Sequence, residues 1–172
     1  FRTNAHGAGY STRRFIRECG DRIPEDVITF VLKRIEMKVS LFADDINYEP
    51  FPFDGLHEEY SGIIKSQNYQ NYLRRVRDYT IDHNSYQYKF WISHFFADLS
   101  DNYSDPCLNV LSEWIDAIDS EKIINVSILL NHAPVDLLFT KHEFISKIIE
   151  TAYQKDANCY KKTLSNLNKI SY

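Results

Sequence analysis

The stretch DPCLNVLSEWIDAIDSEKIINVSILL, residues 105–130, decides the fold. Asp105 followed by Pro106 is typical of a helix start, since aspartate caps free backbone amides and proline suits the first helical position. The helix that begins there carries the apolar stripe Leu108, Leu111, Ile115 and Ile118. Asp119 and Ser120 cap a second helix, which is apolar over much of its circumference: Ile123, Ile124, Val126, Ile128, Leu129 and Leu130. Such a helix is usually buried between neighbours, so the segment predicts a buried helix within a helical stack.

Towards the carboxyl end, the pattern predicts two further helices. Residues 131–134 end the buried helix, and Leu137, Leu138 and Phe139 form a hydrophobic bridge. Thr140 and Glu143 have the spacing of a capping box, in which each side chain satisfies a backbone amide at the helix start. The next apolar stripe is Phe144, Ile145, Ile148, Ile149 and Ala152. Asp156 caps a last helix, whose inner face is Tyr160, Leu164 and Leu167.

Towards the amino end, residues 86–101 and 69–82 each show one apolar face at helical spacing, and a shorter helix is predicted over 56–65. Prolines and a glycine make residues 44–55 a connector, whose Phe51 and Phe53 are expected to pack onto the body.

Pro24 suits the first turn of another helix, which the apolar spacing extends to residue 43. Residues 1–23 carry few helix signals, and we expect a flexible or extended lead-in there.

These patterns make the fold class all-α. The five glycines and five prolines suit long helices with few tight turns. Residues 48–53 come nearest to a strand, and their prolines argue against one. The helix starts at Asp105 and Thr140 lie about 35 residues apart, which is typical of stacked two-helix repeats. We therefore expect residues 24–172 to form one array of stacked antiparallel helices, a HEAT-like α-solenoid; the alternative is an irregular helical bundle, because amphipathic helices with short loops build both.

Residues 85–170 resemble a helical region found in a known family. The segments that carry the likeness are LSEWID (111–116), SEKI (120–123), LLNHAP (129–134), Phe139, FI (144–145) and CY (159–160). In these segments the chain is similar to the HEAT-like carboxyl-terminal region of bacterial NACHT and related STAND NTPases. The resemblance implies a sensing or scaffolding tail of a larger, defence-associated NTPase. The Gly-rich loop ending in Gly-Lys-Ser/Thr that binds nucleotide in such enzymes does not occur in this sequence.

Charge and composition narrow the classes of function. A net charge of −4 argues against a dedicated nucleic-acid-binding domain. No apolar run approaches about 18 residues and no signal-peptide pattern opens the sequence, so we expect no membrane partner. The widely spaced Cys19, Cys107 and Cys159 suit neither a disulfide framework nor a zinc site, which favours the reducing cytoplasm. The chain starts at Phe1 and not at a methionine, which predicts an excerpt of a larger protein.

The sequence contains no recognisable metal-binding motif. Its later histidines form no i, i+4 pair and no zinc helix, and we interpret them as structural or surface residues: His57, His83, His94, His132 and His142. A group of carboxylates in and after the connector could hold Mg²⁺ or share a proton, but its spacing matches no calcium loop: Asp44, Asp45, Glu49, Glu58 and Glu59.

The sequence contains no recognisable nucleophile motif either. Ser93 beside His94 and the three cysteines lack the flanking residues of known nucleophile motifs. The glycine-rich residues 6–11 lack the lysine of a phosphate-binding loop. We therefore predict no catalytic residue, no cofactor and no metal ligand.

Two groups of arginines are the candidate binding residues. One group shares a helix with Tyr69, Tyr72 and Tyr79 and consists of Arg74, Arg75 and Arg77; the other consists of Arg13, Arg14 and Arg17. Arginines interleaved with aromatic residues can bind phosphates and stack on bases. They can equally cover an apolar face or pair with neighbouring carboxylates, and the net negative charge favours this structural interpretation.

The leading hypothesis is a non-catalytic module for protein interaction, sensing or scaffolding, whose partner is another protein or the remainder of its own chain. Tyr10, Phe51, Phe53 and Tyr86 lie in predicted loops and are the candidate contact residues. One alternative is nucleic-acid binding through the two arginine groups. The other is an unrecognised metal-dependent hydrolase that uses the acidic connector.

Overall fold

The computed structural model describes residues 5–45, 48–51, 57–83 and 85–171. The α-helices in these ranges are α1 Ala5–Gly20, α2 Pro24–Ser40, α3 Ser61–Ile64, α4 Tyr69–Asp82, α5 Tyr86–Leu99, α6 Asp105–Asp116, α7 Ser120–Leu129, α8 Asp136–Thr140, α9 His142–Lys155 and α10 Ala157–Leu167. Short 3-10 helices lie at His57–Tyr60 and Asn168–Ser171. These ranges contain no strand, so the all-α prediction is confirmed.

Most of the helices pack in two layers of consecutive pairs, namely α4 with α5, α6 with α7 and α9 with α10. In one layer α4 packs on α6 and α6 on α9; in the other layer α5 packs on α7 and α7 on α10. Helix α7 lies at the centre and contacts α4, α5, α6, α9 and α10. The prediction of a buried helix at this position is therefore confirmed.

Several of the hydrogen bonds between neighbouring pairs join residues at nearly the same separation in the sequence. Separations of 36 or 39 residues are found in the bonds that join Arg77 to Glu113, Ser120 to Asp156, Ser93 to His132, and Ser127 to Asn166. A constant separation means that successive pairs stack in a similar register. A short solenoid and an irregular bundle both accommodate a two-layer stack of this size, so the all-α stack is what the structure establishes.

The lead-in expected at residues 1–23 is instead helical over Ala5–Gly20, and this prediction was wrong for those residues. Ile16 is fully buried, and α1 contacts α2, α3 and the first 3-10 helix. Gly62 allows the close approach, because a Cβ atom there would lie 2.7 Å from the backbone nitrogen of Asp21. Burial against these neighbours stabilises a helix whose own sequence, with two early glycines and no acidic first turn, gives little sign of it.

Two of the predicted helix caps are confirmed and two are wrong. Asp105 is the first residue of α6 and not its N-cap, a position that Ser104 occupies without a side-chain hydrogen bond. Asp119 accepts a hydrogen bond from the amide of Lys122, and Asp156 accepts one from the amide of Cys159. Thr140 does not cap α9. The predicted hydrophobic bridge is itself the short helix α8, and the Thr140 hydroxyl donates back to the carbonyl of Asp136.

The connector is attached to α2 through its backbone. Arg34 donates to the carbonyls of Pro50 and Glu49 at 2.6 and 2.8 Å, and Lys38 donates to the carbonyl of Phe42 at 3.1 Å. Phe51 is buried and packs against the rings of α5, which confirms that it anchors the connector to the body. Phe53 lies outside the described residues.

A left-handed turn links the end of α5 to α6. Asp101, Asn102 and Tyr103 have φ angles of 50°, 54° and 55°, a conformation that costs roughly 1–2 kcal/mol for each residue with a side chain. The turn directs the buried Tyr103 towards α7, where its hydroxyl donates to the carbonyl of Leu129 at 2.6 Å. This bond satisfies a carbonyl at the end of α7 that has no partner inside its own helix.

Replacing Tyr103 with phenylalanine should lower the free energy of unfolding by about 1–2 kcal/mol, because the buried carbonyl of Leu129 loses its donor. Urea denaturation followed by circular dichroism measures the change. Tyr86→Phe is the matched control, since Tyr86 is exposed and its hydroxyl should contribute less than about 0.5 kcal/mol. Equal stability of the two variants would show that the Tyr103 hydroxyl does not stabilise α7.

Candidate functional site

The arginines of α4 are engaged in ion pairs within the chain. Arg77 is only 5% exposed; it donates to Asp78 and Glu113, each at 2.8 Å, and lies over the Trp114 ring. Arg74 binds the same Glu113 carboxylate through both Nε and Nη2, at 2.9 and 2.6 Å. These contacts join the α4–α5 pair to the α6–α7 pair.

The third arginine of α4 points away from the other two. Arg75 pairs with Glu25 and donates to the Thr29 hydroxyl at 2.9 Å, which ties α4 to α2. The three arginines predicted to form one anion-binding group are therefore divided between two interfaces.

In the other arginine group, Arg14 pairs with Glu18 at 2.7 Å and Arg13 lies 3.7 Å from Glu59, whereas Arg17 is exposed. Nucleic-acid binding through these residues stays a prediction, and it would require several intramolecular ion pairs to open.

Ser93 and two histidines meet where α5 faces the end of α7. The rings of His94 and His132 stack with their centroids 3.5 Å apart, and Nε2 of His132 lies 3.2 Å from the Ser93 hydroxyl. Ser93 is buried, and its hydroxyl already donates to the carbonyl of Phe90 at 2.8 Å. His132 must therefore act as the donor in its bond to Ser93, which is the reverse of what a base activating a serine would do. The contact joins α5 to α7.

The stacked arrangement shifts both histidines towards the neutral form. Desolvation, with a smaller contribution from His132, lowers the pKa of His94 to about 3. The His132 side chain is partly exposed, and desolvation of the buried part of its ring lowers its pKa as well. Neutral rings can stack closely without charge repulsion.

The other predicted candidates are spread over the surface or the core. His83 stacks on Tyr79, His142 is exposed, and the side chain of His57 lies outside the described residues. Burial raises the pKa of the Cys107 thiol, which disfavours the reactive thiolate. All three cysteines are unpaired: Cys19, Cys107 and Cys159.

The carboxylates of the connector do not converge on one point. Asp44 and Asp45 are exposed, and the connector is held through its backbone carbonyls, including that of Asp45, which accepts from Lys38. In the described ranges, no group of three or more histidine, cysteine or acidic residues could hold a metal ion. The hydrolase hypothesis stays a prediction that this geometry does not strengthen.

Large apolar side chains remain exposed at several places on the array. Tyr86 is 78% exposed, as its prediction as a contact residue requires, whereas Phe51 is buried and was wrongly included. The side chains of Tyr10 and Phe53 lie outside the described residues. The sequence analysis did not predict that Phe139 and Tyr153 are exposed. Their positions outside the buried residues of α8 and α9 could have indicated it.

Sequence reasoning also passed over the charge of the last helix. Residues 157–171 contain Lys161, Lys162 and Lys169 and no acidic residue, and all three lysines are exposed. The signal was the absence of aspartate and glutamate, which is less visible than the arginine run of α4.

No helix in the described part of the chain is both long enough and apolar enough to cross a membrane.

Comparison of the chain with known proteins finds no matching family model, no matching curated protein and no matching solved structure. The resemblance of residues 85–170 to NACHT and STAND NTPase tails stays a prediction.

Replacing Glu113 with alanine should destabilise the fold by about 1–3 kcal/mol, because the buried Arg77 loses its partner across the α4–α6 interface. Chemical denaturation measures the loss. Glu18→Ala is the matched control, since it breaks only the exposed pair with Arg14 and should cost less than about 0.5 kcal/mol. A loss of the same size in both variants would contradict a structural role for the arginines of α4.

The stacked histidines predict how the stability of the fold depends on pH. Because the folded-state pKa of His94 is about 3 and a free histidine titrates near ~6.5, the unfolded chain binds a proton in this window that the folded chain does not. The free energy of unfolding should therefore be highest above about pH 6.5 and should fall as the pH drops towards 3. Because solvent screens the exposed part of the ring, we expect a loss on the order of 1 kcal/mol between pH 7.5 and 5.

His94→Gln should reduce this acid-dependent loss, and the exposed His142→Gln should leave it unchanged. Unfolding midpoints at the two pH values provide the comparison. If His94→Gln loses as much stability on acidification as the parent chain, the histidine stack is not the source of the sensitivity.

Proposed function

We propose that the chain is a HEAT-like helical array that acts as a protein-interaction or sensing module of a larger cytoplasmic protein. The observation that carries the proposal is the recurrence of inter-pair bonds at separations of 36 or 39 residues. Arrays built from such stacked pairs contact mainly their neighbours, and their extended surfaces are commonly used for binding. The three unpaired cysteines support a reducing compartment.

The binding mechanism in this proposal is the burial of exposed aromatic and aliphatic side chains. Tyr86, Phe139, Tyr153 and Leu41 are 71–78% exposed, although each could bury substantial apolar surface. A few large anchors of this kind supply most of the binding energy at protein interfaces. They lie on α5, α8, α9 and the end of α2, so a partner that follows the array could engage several of them.

The same proposal includes a parent protein of the STAND NTPase type. Its support is the resemblance of residues 85–170, which correspond to α5 through α10 and include two complete helix pairs, α6 with α7 and α9 with α10. The reading frame upstream of Phe1 is the place to look for the nucleotide-binding segment Gly-x-x-x-x-Gly-Lys-Ser/Thr.

Site-specific photo-crosslinking tests the interaction surface. A benzophenone amino acid replaces Tyr86, Phe139 or Tyr153 in turn, and the protein is irradiated in cells of its native host. We expect a discrete protein adduct at one or more of these positions, identified by mass spectrometry, because an anchor lies against its partner. The corresponding alanine variant should reduce co-purification of the same protein by at least about tenfold, the loss expected for a hot-spot residue.

Glu143 and Gln154 are the control positions, since both are exposed and polar and lie on the same helix as Tyr153. Labelling of equal strength at control and anchor positions, or adducts at none of the anchors, would contradict the proposed interaction surface.

A further inference from the structure

The last two long helices, α9 and α10, differ in net charge from the rest of the chain. Residues 141–172 hold six lysines against three acidic residues, whereas residues 1–140 hold fourteen basic and twenty-one acidic residues. The carboxyl-terminal pair is therefore basic on a chain whose net charge is −4.

Two of the six lysines are used in stacking the helix pairs. Lys141 binds Asp105 and Lys147 binds Asp116, each at 2.6 Å, so both ammonium groups are neutralised by α6. In contrast, no carboxylate of the described residues lies within ion-pair distance of the other four, namely Lys155, Lys161, Lys162 and Lys169. These four side chains are exposed.

The nearest acidic residue in sequence is occupied elsewhere. Asp156 follows Lys155, but its carboxylate accepts from the amide of Cys159 at 2.7 Å and from the hydroxyl of Ser120 at 3.0 Å. These bonds, the first of them foremost, hold the pKa of Asp156 below its usual range. The Asp156 carboxylate therefore caps α10 and binds this helix to the start of α7.

Two of the unpaired lysines share one side of α10, and the other two flank this helix. At 100° per residue, Lys161 and Lys162 lie about 100° apart, on the side away from the buried Thr163 and Leu167. Lys155 is the last residue of α9, and Lys169 lies in the 3-10 helix Asn168–Ser171. A strand of negative charges could therefore contact several ammonium groups at once.

An exposed tyrosine stands at the same end of the array. Tyr153 is 72% exposed, and its ring packs edge to face against Tyr160, with the centroids 5.5 Å apart and an interplanar angle of 78°. This contact restrains the ring on one side and leaves most of it open to solvent. Tyr153 precedes Lys155 by two residues, and Tyr160 precedes Lys161 by one.

We propose that the basic side of α10, together with Tyr153, binds single-stranded nucleic acid. Lysines alone would suit any polyanion, including an acidic protein segment. The restrained, exposed ring beside them favours nucleic acid, since successive bases can stack on it while the ammonium groups contact the phosphates. This binding surface goes beyond the proposed protein-interaction function and is distinct from the arginine groups.

The test uses the full 172-residue chain and fluorescein-labelled dT20 or rU20 in anisotropy titrations. If four lysines contact phosphates, raising the salt from 50 to 200 mM should weaken binding by about 50-fold.

Lys161→Glu with Lys162→Glu should weaken binding at 50 mM and flatten the salt dependence. Tyr153→Ala should weaken binding about 5- to 100-fold with the salt dependence unchanged, and Tyr153→Phe should retain binding, because stacking does not need the hydroxyl.

Arg22→Glu with Lys33→Glu is the matched control, since it makes the same change in net charge at two exposed residues outside both arginine groups. It should alter the dissociation constant less than about twofold. Circular dichroism verifies that each variant remains helical.

Three outcomes would overturn the proposal. The first is no binding of either oligonucleotide at 50 mM salt. The second is that the control variant loses as much affinity as the α10 variant, which would assign the effect to overall charge. The third is that a 20-residue polyglutamate peptide binds as tightly as dT20 and that Tyr153→Ala changes neither affinity, which would identify an acidic protein segment as the ligand.

Discussion

Helix α7 has to be covered on nearly every side, and the arrangement of the other helices follows from this requirement. Its aliphatic residues Ile123, Val126 and Leu129 are fully buried, and helices of both layers contact it. Removal of apolar surface from water is the dominant favourable contribution to folding, so a helix with this composition is stable only inside a stack. The polar groups at its ends are satisfied by Asp119 at the first turn and by the Tyr103 hydroxyl at Leu129.

Stacking around α7 also determines which charges are neutralised. At the interface between α4 and α6, Arg74 and Arg77 pair with Glu113. At the interface between α6 and α9, two lysines pair with two aspartates. Removing one partner of the pair between Arg77 and Glu113 would leave the buried guanidinium without this partner, so the pair restricts the register in which α4 and α6 stack. Helix α10 packs on α7 and α9. In the described residues, no carboxylate lies within ion-pair distance of the lysines on its outer side.

Helical periodicity was a reliable guide wherever a helix is amphipathic or strongly capped. The caps at Asp119 and Asp156 and the buried character of α7 could all be predicted from neighbouring residues alone. Helix α1 could not, because its stability comes from burying Ile16 against α2 and α3 and not from local propensity. Thr140 was assigned to the wrong helix for a similar reason: its spacing to Glu143 fits a capping box, yet the chain coils into α8 before α9 begins.

The sequence by itself determined that the chain is all-α and that residues 120–130 form a buried helix, because apolar spacing and helix caps are local properties that three or four neighbouring residues define. The tertiary structure alone decided which charged residues remain available for a partner. The arginine run of α4 and the lysines of α10 look equally basic in the sequence, but the carboxylate that Arg74 and Arg77 share lies 39 and 36 residues away along the chain. Only the stacking of one helix pair on the next brings Glu113 to α4, and no such pair covers the outer side of α10 in the described residues.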